Sequence, residues 1–293
     1  MQCTKPLLIK NPKQGAVPSP RFQTGFKVPC GKCLACRISK TREWSIRLVH
    51  EASTSLNCCF ITLTYNDECL PNIDSLNKNA LQNFIKRFRY YHDDVSIKYY
   101  ACGEYGDESG RPHYHLLLFG WRPEWKDLRY THSEKGRPIY KSLELCQIWQ
   151  YGFNSVDVGI TYDSAAYVAG YVRKKLNGDK AKDVYGDKQP PFALQSQGIG
   201  KQYCMENADQ LRSQKVVMMH NATHSLPRYY CKLLNIDSEE LSMYAIRNEL
   251  EIETHWLNRG IPENEIPIAI AESRETYNKS LVRKYENHFK GRL

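Results

Sequence analysis

The residues with the clearest chemical potential are two histidines separated by one residue in the stretch Arg111–Gly120. Residues i and i+2 of a strand point to the same face, so the imidazoles of His113 and His115 would project side by side and could share a metal ion. Residues 97–104 predict a neighbouring strand, and the glycines and proline that follow predict a turn that brings Glu104 close to the histidines. Two nitrogens and one carboxylate suit a hard divalent cation.

A second group of candidate residues is a pair of tyrosines, Tyr167 and Tyr171, in a stretch with helical spacing. Residues four apart lie on one face of a helix, and Lys174 continues the same stripe. A tyrosine hydroxyl can attack a phosphodiester and hold the product as an ester. Its unperturbed pKa is about 10, so it needs a nearby cation. The alternative is a tyrosine ladder that only packs against a sheet.

A third candidate site is a cysteine cluster with the spacing C-x-x-C-x-x-C, at Cys30, Cys33 and Cys36. Structural zinc takes four ligands as a rule, and Cys3 becomes the fourth if residues 4–29 fold back. Rivals for that place are Cys58, Cys59 and Cys69. Reduced thiols and an iron–sulfur cluster are the other interpretations. Bound zinc would hold the arm against a basic helix. The basic residues of this module could contact DNA phosphates, and the alternative is that they form only a solvated face. They are Lys32, Arg37, Lys40, Arg42 and Arg47.

The net charge of +9 over 293 residues is unevenly distributed. Residues 237–275 carry ten acidic and three basic side chains, whereas residues 1–236 carry a net +12. A basic body predicts a polyanionic partner such as nucleic acid. The sequence contains no run of 18 apolar residues, so no membrane span is predicted. The first residues lack the apolar core of a signal peptide. The eleven cysteines are therefore expected to be reduced, in a cytoplasm.

The elements that must position these residues are predicted in the order β-α-β-β-insertion-α-β-α, which indicates an α+β fold with a central antiparallel sheet and helices on one face. Asp163 or Ser164 is the expected N-cap of the tyrosine helix. Residues 121–141 are interpreted as a polar insertion, and residues 177–203 as a loop. The predicted strands are 58–65, 97–104, 113–119 and 153–158, and the predicted helices are 34–54, 78–91, 142–151, 163–176, 204–219, 238–258 and 270–290.

Taken together, the motifs resemble a known family. A strand FITLTY, a strand PHYH and a helix YVAGYVRKK follow one another over residues 58–176, as in the HUH endonucleases that initiate rolling-circle replication. The helix with two tyrosines is similar to that of the initiators of microviruses, which are small single-stranded DNA phages. The sequence VPCGKCLACR, which ends at Arg37, further resembles the gokushovirus branch of that group.

The resemblance implies a nicking and joining enzyme in the cytoplasm of a host bacterium. It would cut the viral plus strand at the origin, hold the 5′ phosphate on a tyrosine, and rejoin the displaced strand into a circle. Viral origin DNA would be the substrate, with host helicase and polymerase as partners. The metal would be Mg²⁺ or Mn²⁺. The family's roles fall on His113, His115 and Glu104 as metal ligands, Tyr167 and Tyr171 as nucleophiles, and Lys174 with Lys175 as supporting cations.

The resemblance also implies a sheet related to the RNA-recognition-motif plan. The expected domains are a cysteine-containing arm with a basic helix (1–54), an HUH nicking domain (55–203) and a mainly helical C-terminal region (204–293). Asp107 and Glu108 are alternatives for the third metal ligand. The competing functions are a single-strand transposase or plasmid relaxase, and a non-catalytic, zinc-containing nucleic-acid-binding protein.

Overall fold

The computed structural model describes residues 3, 5–9, 26–106, 109–134, 136–174, 183–219 and 222–290. The strands are β1 (Leu7–Ile9), β2 (Phe26–Val28), β3 (Cys58–Tyr65), β4 (Lys98–Tyr105), β5 (Pro112–Phe119), β6 (Leu128–Glu134), β7 (Arg137–Ser142), β8 (Gly152–Asp157), β9 (Phe192–Gln195), β10 (Val216–Met219) and β11 (Ala222–Ser225). The helices are α1 (Leu34–Thr54), α2 (Lys78–Tyr91), α3 (Leu143–Trp149), α4 (Tyr162–Lys174), α5 (Lys201–Glu206), α6 (Ala208–Gln214), α7 (Arg228–Leu233), α8 (Ser238–Leu257) and α9 (Ile266–Lys290).

A seven-stranded antiparallel sheet forms the centre of the described structure, in the order β6-β7-β8-β3-β5-β4-β9. The predicted order from β3 to α4 and the α+β class are confirmed. β5, the strand that carries the two histidines, is paired on both sides, with β3 and with β4. The residues of this strand therefore have fixed neighbours, which is what a precise site requires.

Helices cover both faces of the sheet, so the prediction of helices on one face is wrong. Leu63 of β3 packs in one cluster with Phe84 of α2 and Trp149 of α3. On the opposite face, Leu117 of β5 packs in a cluster with Leu48 of α1 and with α4. The continuous apolar run 116–119 in β5 is buried on both sides, and such a run is typical of a strand that is covered on both faces.

Two segments interpreted as irregular contribute strands to the sheet. The polar insertion forms the β6–β7 hairpin, which extends the sheet beyond β8. The segment predicted as a loop contains β9, which pairs with the edge of β4. A third difference lies at Val216–Met219, predicted as the end of a helix, which pairs with Ala222–Ser225 instead. β9, β10 and β11 have only four residues each, and in all these segments the hydrogen-bond partners outweigh the weak local signal.

The C-terminal region is mainly helical, as predicted, and its first part packs against α1. Tyr230 of α7 lies in a buried cluster with Ile46 of α1, and the Tyr230 hydroxyl lies 3.0 Å from Nδ1 of His50. The domain boundaries between residues 54 and 55 and between residues 203 and 204 stay a prediction. Among the helices that the structure describes, none combines the length and the apolarity needed to cross a membrane.

Candidate metal centre

The strand register brings together the three predicted metal ligands. Glu104 of β4 is paired with His113 of β5, and His115 lies one pleat further along the same face. Glu104 Oε1 lies 2.9 Å from Nε2 of His113 and 2.9 Å from Nε2 of His115. The ligand atoms of the three residues all lie within 4.8 Å of one another. This donor set fits a single divalent cation.

Both imidazoles are oriented by contacts on their other ring nitrogen. Nδ1 of His113 lies 3.1 Å from the backbone carbonyl oxygen of Arg111. Nδ1 of His115 lies 2.9 Å from the hydroxyl oxygen of Thr62, on the neighbouring strand β3. With a cation bound at Nε2 in place of its proton, each neutral imidazole would carry its proton on Nδ1, where the Arg111 carbonyl and the Thr62 hydroxyl can accept it. Contacts of this kind hold the rings of metal-binding histidines in place.

The carboxyl group of Glu104 is charged at neutral pH. Burial raises its pKa, but the hydrogen bonds from His113 and His115 outweigh that effect and lower the pKa to about 2. A buried carboxylate beside two imidazoles is a strong attractor for a cation. Asp107 and Glu108, the alternative ligands, lie outside the described residues.

The tyrosine helix α4 packs over the sheet face that carries the histidines. The ring of Tyr167 lies 5.3 Å from the ring of His115 and 6.4 Å from that of Phe60, measured between centroids. Its helix begins with a reciprocal cap: Ser164 N donates to Thr161 Oγ1, and Thr161 N donates to Ser164 Oγ. The predicted N-cap at Asp163 or Ser164 is therefore wrong, because Thr161 takes that place.

Small residues of α4 allow a second helix, α1, to pack closely beside it. Ala165 and Ala169 are fully buried, and Thr41 Oγ1 of α1 donates to the Ala169 carbonyl at 3.4 Å. α1 thus lies beside α4 on the same face of the sheet and fixes its position. The side chains of Tyr171 and Lys174, and all of Lys175, lie outside the described residues, so their predicted roles stay predictions.

The cysteine cluster assembles as a second group of ligands. Pairing of β1 with β2 folds the arm back, which places Cys3 Sγ 3.7 Å from Cys33 Sγ. With Zn–S bonds of about 2.3 Å, two sulfur atoms of a tetrahedral site lie about 3.8 Å apart. The sulfur atoms of Cys3, Cys30, Cys33 and Cys36 all lie within 4.8 Å of one another. None of the eleven cysteines, all in described positions, forms a disulfide.

Backbone amides support this cluster. Cys30 N donates to Cys3 Sγ and Cys33 N donates to Cys30 Sγ, both at 3.3 Å. The pKa of the Cys30 thiol is lowered, and the hydrogen bond from the Cys33 amide contributes most to this shift. Because a metal binds the thiolate, these contacts favour metal binding. Cys58, Cys59 and Cys69, the other residues considered for the fourth position, stand outside this cluster.

The five basic residues predicted to contact DNA differ in their surroundings. Lys32 and Lys40 are exposed, and Arg37 and Arg42 are half-buried. Arg47 is engaged elsewhere: its guanidinium carbon lies 4.1 Å from the ring centroids of both Trp44 and Tyr229, and Nε donates to the Ile199 carbonyl. Burial lowers the pKa of Arg47. Its contacts join α1 to the C-terminal region.

The residues that orient the ligands were not predicted from the sequence. Thr62 lies opposite His115 in the register of β3 and β5. The sequence indicates that Thr62 and Thr64 lie on one face of the strand. It does not indicate how far their hydroxyls lie from the histidines. The Arg111 carbonyl could not have been found, because any residue offers a backbone carbonyl.

Residues 58–176, which run from β3 through α4, match the family model for replication-associated protein ORF2/gene 2 protein. The chain is 32% identical over 259 residues to replication-associated protein ORF2 of Spiroplasma virus 4, which covers 78% of this chain and 79% of that protein. The chain belongs to this family of replication-associated proteins. The predicted resemblance to the initiators of microviruses is confirmed at the level of the family.

Two other relatives of this replication-associated protein are matched over a smaller share of their own length. Replication-associated protein VP4 of Bdellovibrio phage phiMH2K is 34% identical over 215 residues, which make up 70% of this chain and 66% of that protein. Replication-associated protein ORF4 of Chlamydia phage 1 is 28% identical over 240 residues, 78% of this chain and 60% of that protein. The chain thus spans less than two thirds of each of these two relatives. No solved structure matches the chain.

Proposed function

We propose that this protein initiates phage DNA replication by nicking the viral plus strand at the origin and later rejoining the displaced strand into a circle. The observation that carries the proposal is the contact between the ring of Tyr167 and the ring of His115, whose centroids lie 5.3 Å apart. A nucleophile and a ligand cluster on one sheet face can act on the same phosphate. The order of these motifs within a family of replication-associated proteins supports the same conclusion.

Glu104, His113 and His115 would hold Mg²⁺ or Mn²⁺ through one carboxylate oxygen and two imidazole nitrogens. When bound, the cation polarises the phosphate and stabilises the charge that develops on its oxygens. Thr62 and the Arg111 carbonyl keep the imidazoles in the ligand orientation. Three protein ligands leave positions free for the oxygens of the substrate.

The phenol oxygen of Tyr167 or Tyr171 would attack the scissile phosphorus. A bond between that oxygen and phosphorus forms while the bond from phosphorus to the 3′ oxygen breaks. The phenol proton is lost to solvent, and the departing 3′ oxygen takes up a proton. Lys174, with Lys175 as its neighbour, would favour the phenolate. The product carries a 5′-phosphotyrosine and a free 3′ hydroxyl that can prime a polymerase.

The second tyrosine would serve the joining step. It would cut the regenerated origin, and the free 3′ hydroxyl would then attack the first phosphotyrosine, so that one strand closes into a circle. Each transfer replaces one ester bond with another and needs no ATP. The replication fork would require host helicase and polymerase, in the cytoplasm of a host bacterium.

The N-terminal module would bind Zn²⁺ through Cys3, Cys30, Cys33 and Cys36 and contact DNA through the adjacent basic helix. The sulfur spacing of 3.7 Å between Cys3 and Cys33 supports a tetrahedral site. The DNA phosphates would be met by Lys32, Arg37, Lys40 and Arg42, with Arg47 held in its aromatic contacts and acting only by its charge.

A supercoiled plasmid that carries the cognate origin tests the proposed function. We expect open circles only in the presence of Mg²⁺ or Mn²⁺, with protein covalently attached to the 5′ end on a denaturing gel. Tyr167→Phe and Tyr171→Phe should each retain some nicking, and the double variant should retain none. Tyr90→Phe, on the exposed side of α2, is the matched control. Full nicking by the double variant would refute the assignment, and metal-independent binding without nicking would favour a non-catalytic DNA-binding protein.

A further inference from the structure

The sheet face that carries the metal ligands continues beyond them towards the inserted hairpin. Across the strands, Phe153 of β8 is paired with Thr64 of β3, Thr64 is paired with His113 of β5, and His113 is paired with Glu104. Residues paired across a sheet point to the same face. The four side chains therefore form a row, and Phe153 stands two strands, or about 10 Å, from His113.

Phe153 is an unusual residue in this row because its side chain is 58% exposed. It follows Gly152, where a Cβ atom would lie 2.3 Å from the backbone nitrogen of Asn66, so the start of β8 is held tightly against its neighbour. A rigid strand thus presents a phenyl ring to solvent beside the metal ligands. An exposed aromatic ring on a sheet is a surface on which a nucleic-acid base can stack.

The inserted hairpin adds positive charge to the same face. Val156 of β8 and its partner Tyr140 of β7 pack in the cluster on the opposite face, so the alternate residues of both strands point to the metal side. The ion pair between Arg137 and Asp157, at 2.7 Å, lies on that side and agrees with this assignment. Lys141, four residues after Arg137, shares its face.

Lys141 is joined by a second cation on the outer strand of the hairpin. Arg129 of β6 is paired with Lys141 in the register, and both side chains are exposed. Nη1 of Arg129 donates to the carbonyls of Lys126 and Leu128, which holds the guanidinium at the strand. The two cations share the row of His115 and stand three and four strands from it, or about 14 and 19 Å.

We propose that Phe153, Lys141 and Arg129 form a track for single-stranded DNA that leads to the metal centre. A base stacks on Phe153, and phosphates further along the strand contact Lys141 and Arg129. The inference rests on the proposed function, because the track gives the scissile strand its direction across the sheet. Unstacked bases are available only in a single strand, so a duplex does not fit this surface.

The fit to DNA can be measured without cleavage. The probe is a fluorescein-labelled dT12 oligonucleotide in EDTA, followed by fluorescence anisotropy, with rU12 as the RNA arm. We expect Phe153→Ala to weaken dT12 binding about 10-fold, the effect of losing one stacked base. Phe153→Trp should restore the affinity and Phe153→Leu should not. Tyr90→Ala removes an aromatic ring of α2 that is even more exposed, at 81%, and should bind as the parent does.

The cations are tested by the salt dependence of the same binding. Replacing Lys141 and Arg129 by Gln should lower the slope of log K against log salt by about 1.4, since each phosphate contact on a single strand contributes about 0.7. Lys86→Gln, on an exposed position of α2, should leave the slope unchanged. Unchanged affinity in Phe153→Ala together with an unchanged slope in the double variant would overturn the track, and so would tighter binding of rU12 than of dT12.

Failure of the track and failure of the proposed function give different results. Binding of dT12 is measured in EDTA, so it reports on the track without the metal and without the cleavage step. If the parent binds through Phe153 and Lys141 but never nicks the origin, the track stands and the nuclease assignment falls. If the parent nicks and the Phe153→Ala variant nicks at the same concentration of origin DNA, the nuclease stands and the track falls.

Discussion

The two ligand clusters of this protein are held by different kinds of structure. Glu104, His113 and His115 lie on two adjacent strands inside a seven-stranded sheet, and their register alone brings them together. Cys3 and Cys33 meet because a two-stranded hairpin of three residues per strand folds the arm back towards the start of α1. The first cluster is positioned by the fold, whereas the second lies on segments with little core of their own.

The difference suggests different tasks. A site on rigid strands with three ligands keeps positions open for substrate, which is what catalysis needs. Four thiolates close the coordination of a zinc ion and use its binding energy to hold a segment that could not otherwise stay in place. The comparison therefore predicts that loss of the first cluster affects activity and loss of the second affects stability.

Replacing both histidines is the strongest test of this comparison. We expect His113→Ala/His115→Ala to lower origin nicking by about 10³-fold or more, because the cation supplies several kcal/mol of charge stabilisation. The variant should stay folded because the strands keep their pairing, although its melting temperature should fall because the buried Glu104 carboxylate loses both imidazole partners. Nicking is measured as open-circle formation with Mn²⁺ in excess. Parental nicking by the double variant would remove the metal centre from the mechanism.

The cysteine cluster should show the opposite pattern. We expect Cys33→Ser to lose one equivalent of zinc by elemental analysis and to lower the melting temperature by roughly 5–10 °C, the effect of losing a few kcal/mol. The comparison variant is Cys69→Ser, which should keep both zinc and stability because Cys69 lies outside the cluster. A full equivalent of zinc in the Cys33→Ser protein would be evidence against the site.

The stability of the protein should also depend on pH through His50, which lies where α1 meets the C-terminal region. Burial lowers the pKa of His50 to about 4, and its ring stacks on Tyr203 and contacts the Tyr230 hydroxyl. An unfolded histidine titrates near 6.5 and binds its proton first. The stability from neutral His50 is thus complete above pH 6.5 and falls by about 3 kcal/mol as the pH drops to 4.

Urea unfolding at pH 7, 5.5 and 4 measures this dependence. The variant His50→Gln should lose less stability over that range than the parent, although it is less stable at pH 7. His132→Gln, at an exposed position of β6, should follow the parent curve. A parent whose stability is flat between pH 6.5 and 4 would show that His50 is not buried in its neutral form.

The smallest expected effect separates two threonines on one strand. Thr62→Val removes the hydroxyl that contacts Nδ1 of His115, so Mn²⁺ affinity measured by calorimetry should fall about 10- to 100-fold. Thr64→Val changes the next hydroxyl on the same face and should alter the affinity less than about twofold. Equal effects of the two changes would indicate that the strand, rather than the contact to His115, controls the ligand.

Much of the central fold could be predicted because its signals are local. The alternation in Cys58–Tyr65 matches the observed burial pattern residue by residue, and the spacing of Leu81, Phe84 and Phe88 marks the buried side of α2. The inserted hairpin escaped because its strands are mainly polar, and β9 escaped because it has only four residues. The hairpin is held by its pairing with β8, and β9 by β4, which lies far earlier in the chain, and periodicity carries no information about such partners.

The candidate site divides along the same line. By itself the sequence determined which groups are available: two imidazoles on one strand face, a carboxylate on the next strand, paired phenols on a helix, and four thiols. Only the tertiary structure decided that Tyr167 lies against His115, that Thr62 orients the imidazole, and that Arg47 is held between two aromatic rings. The physical reason is range: side-chain direction within one element follows from local geometry, whereas contacts between elements depend on how the whole core packs.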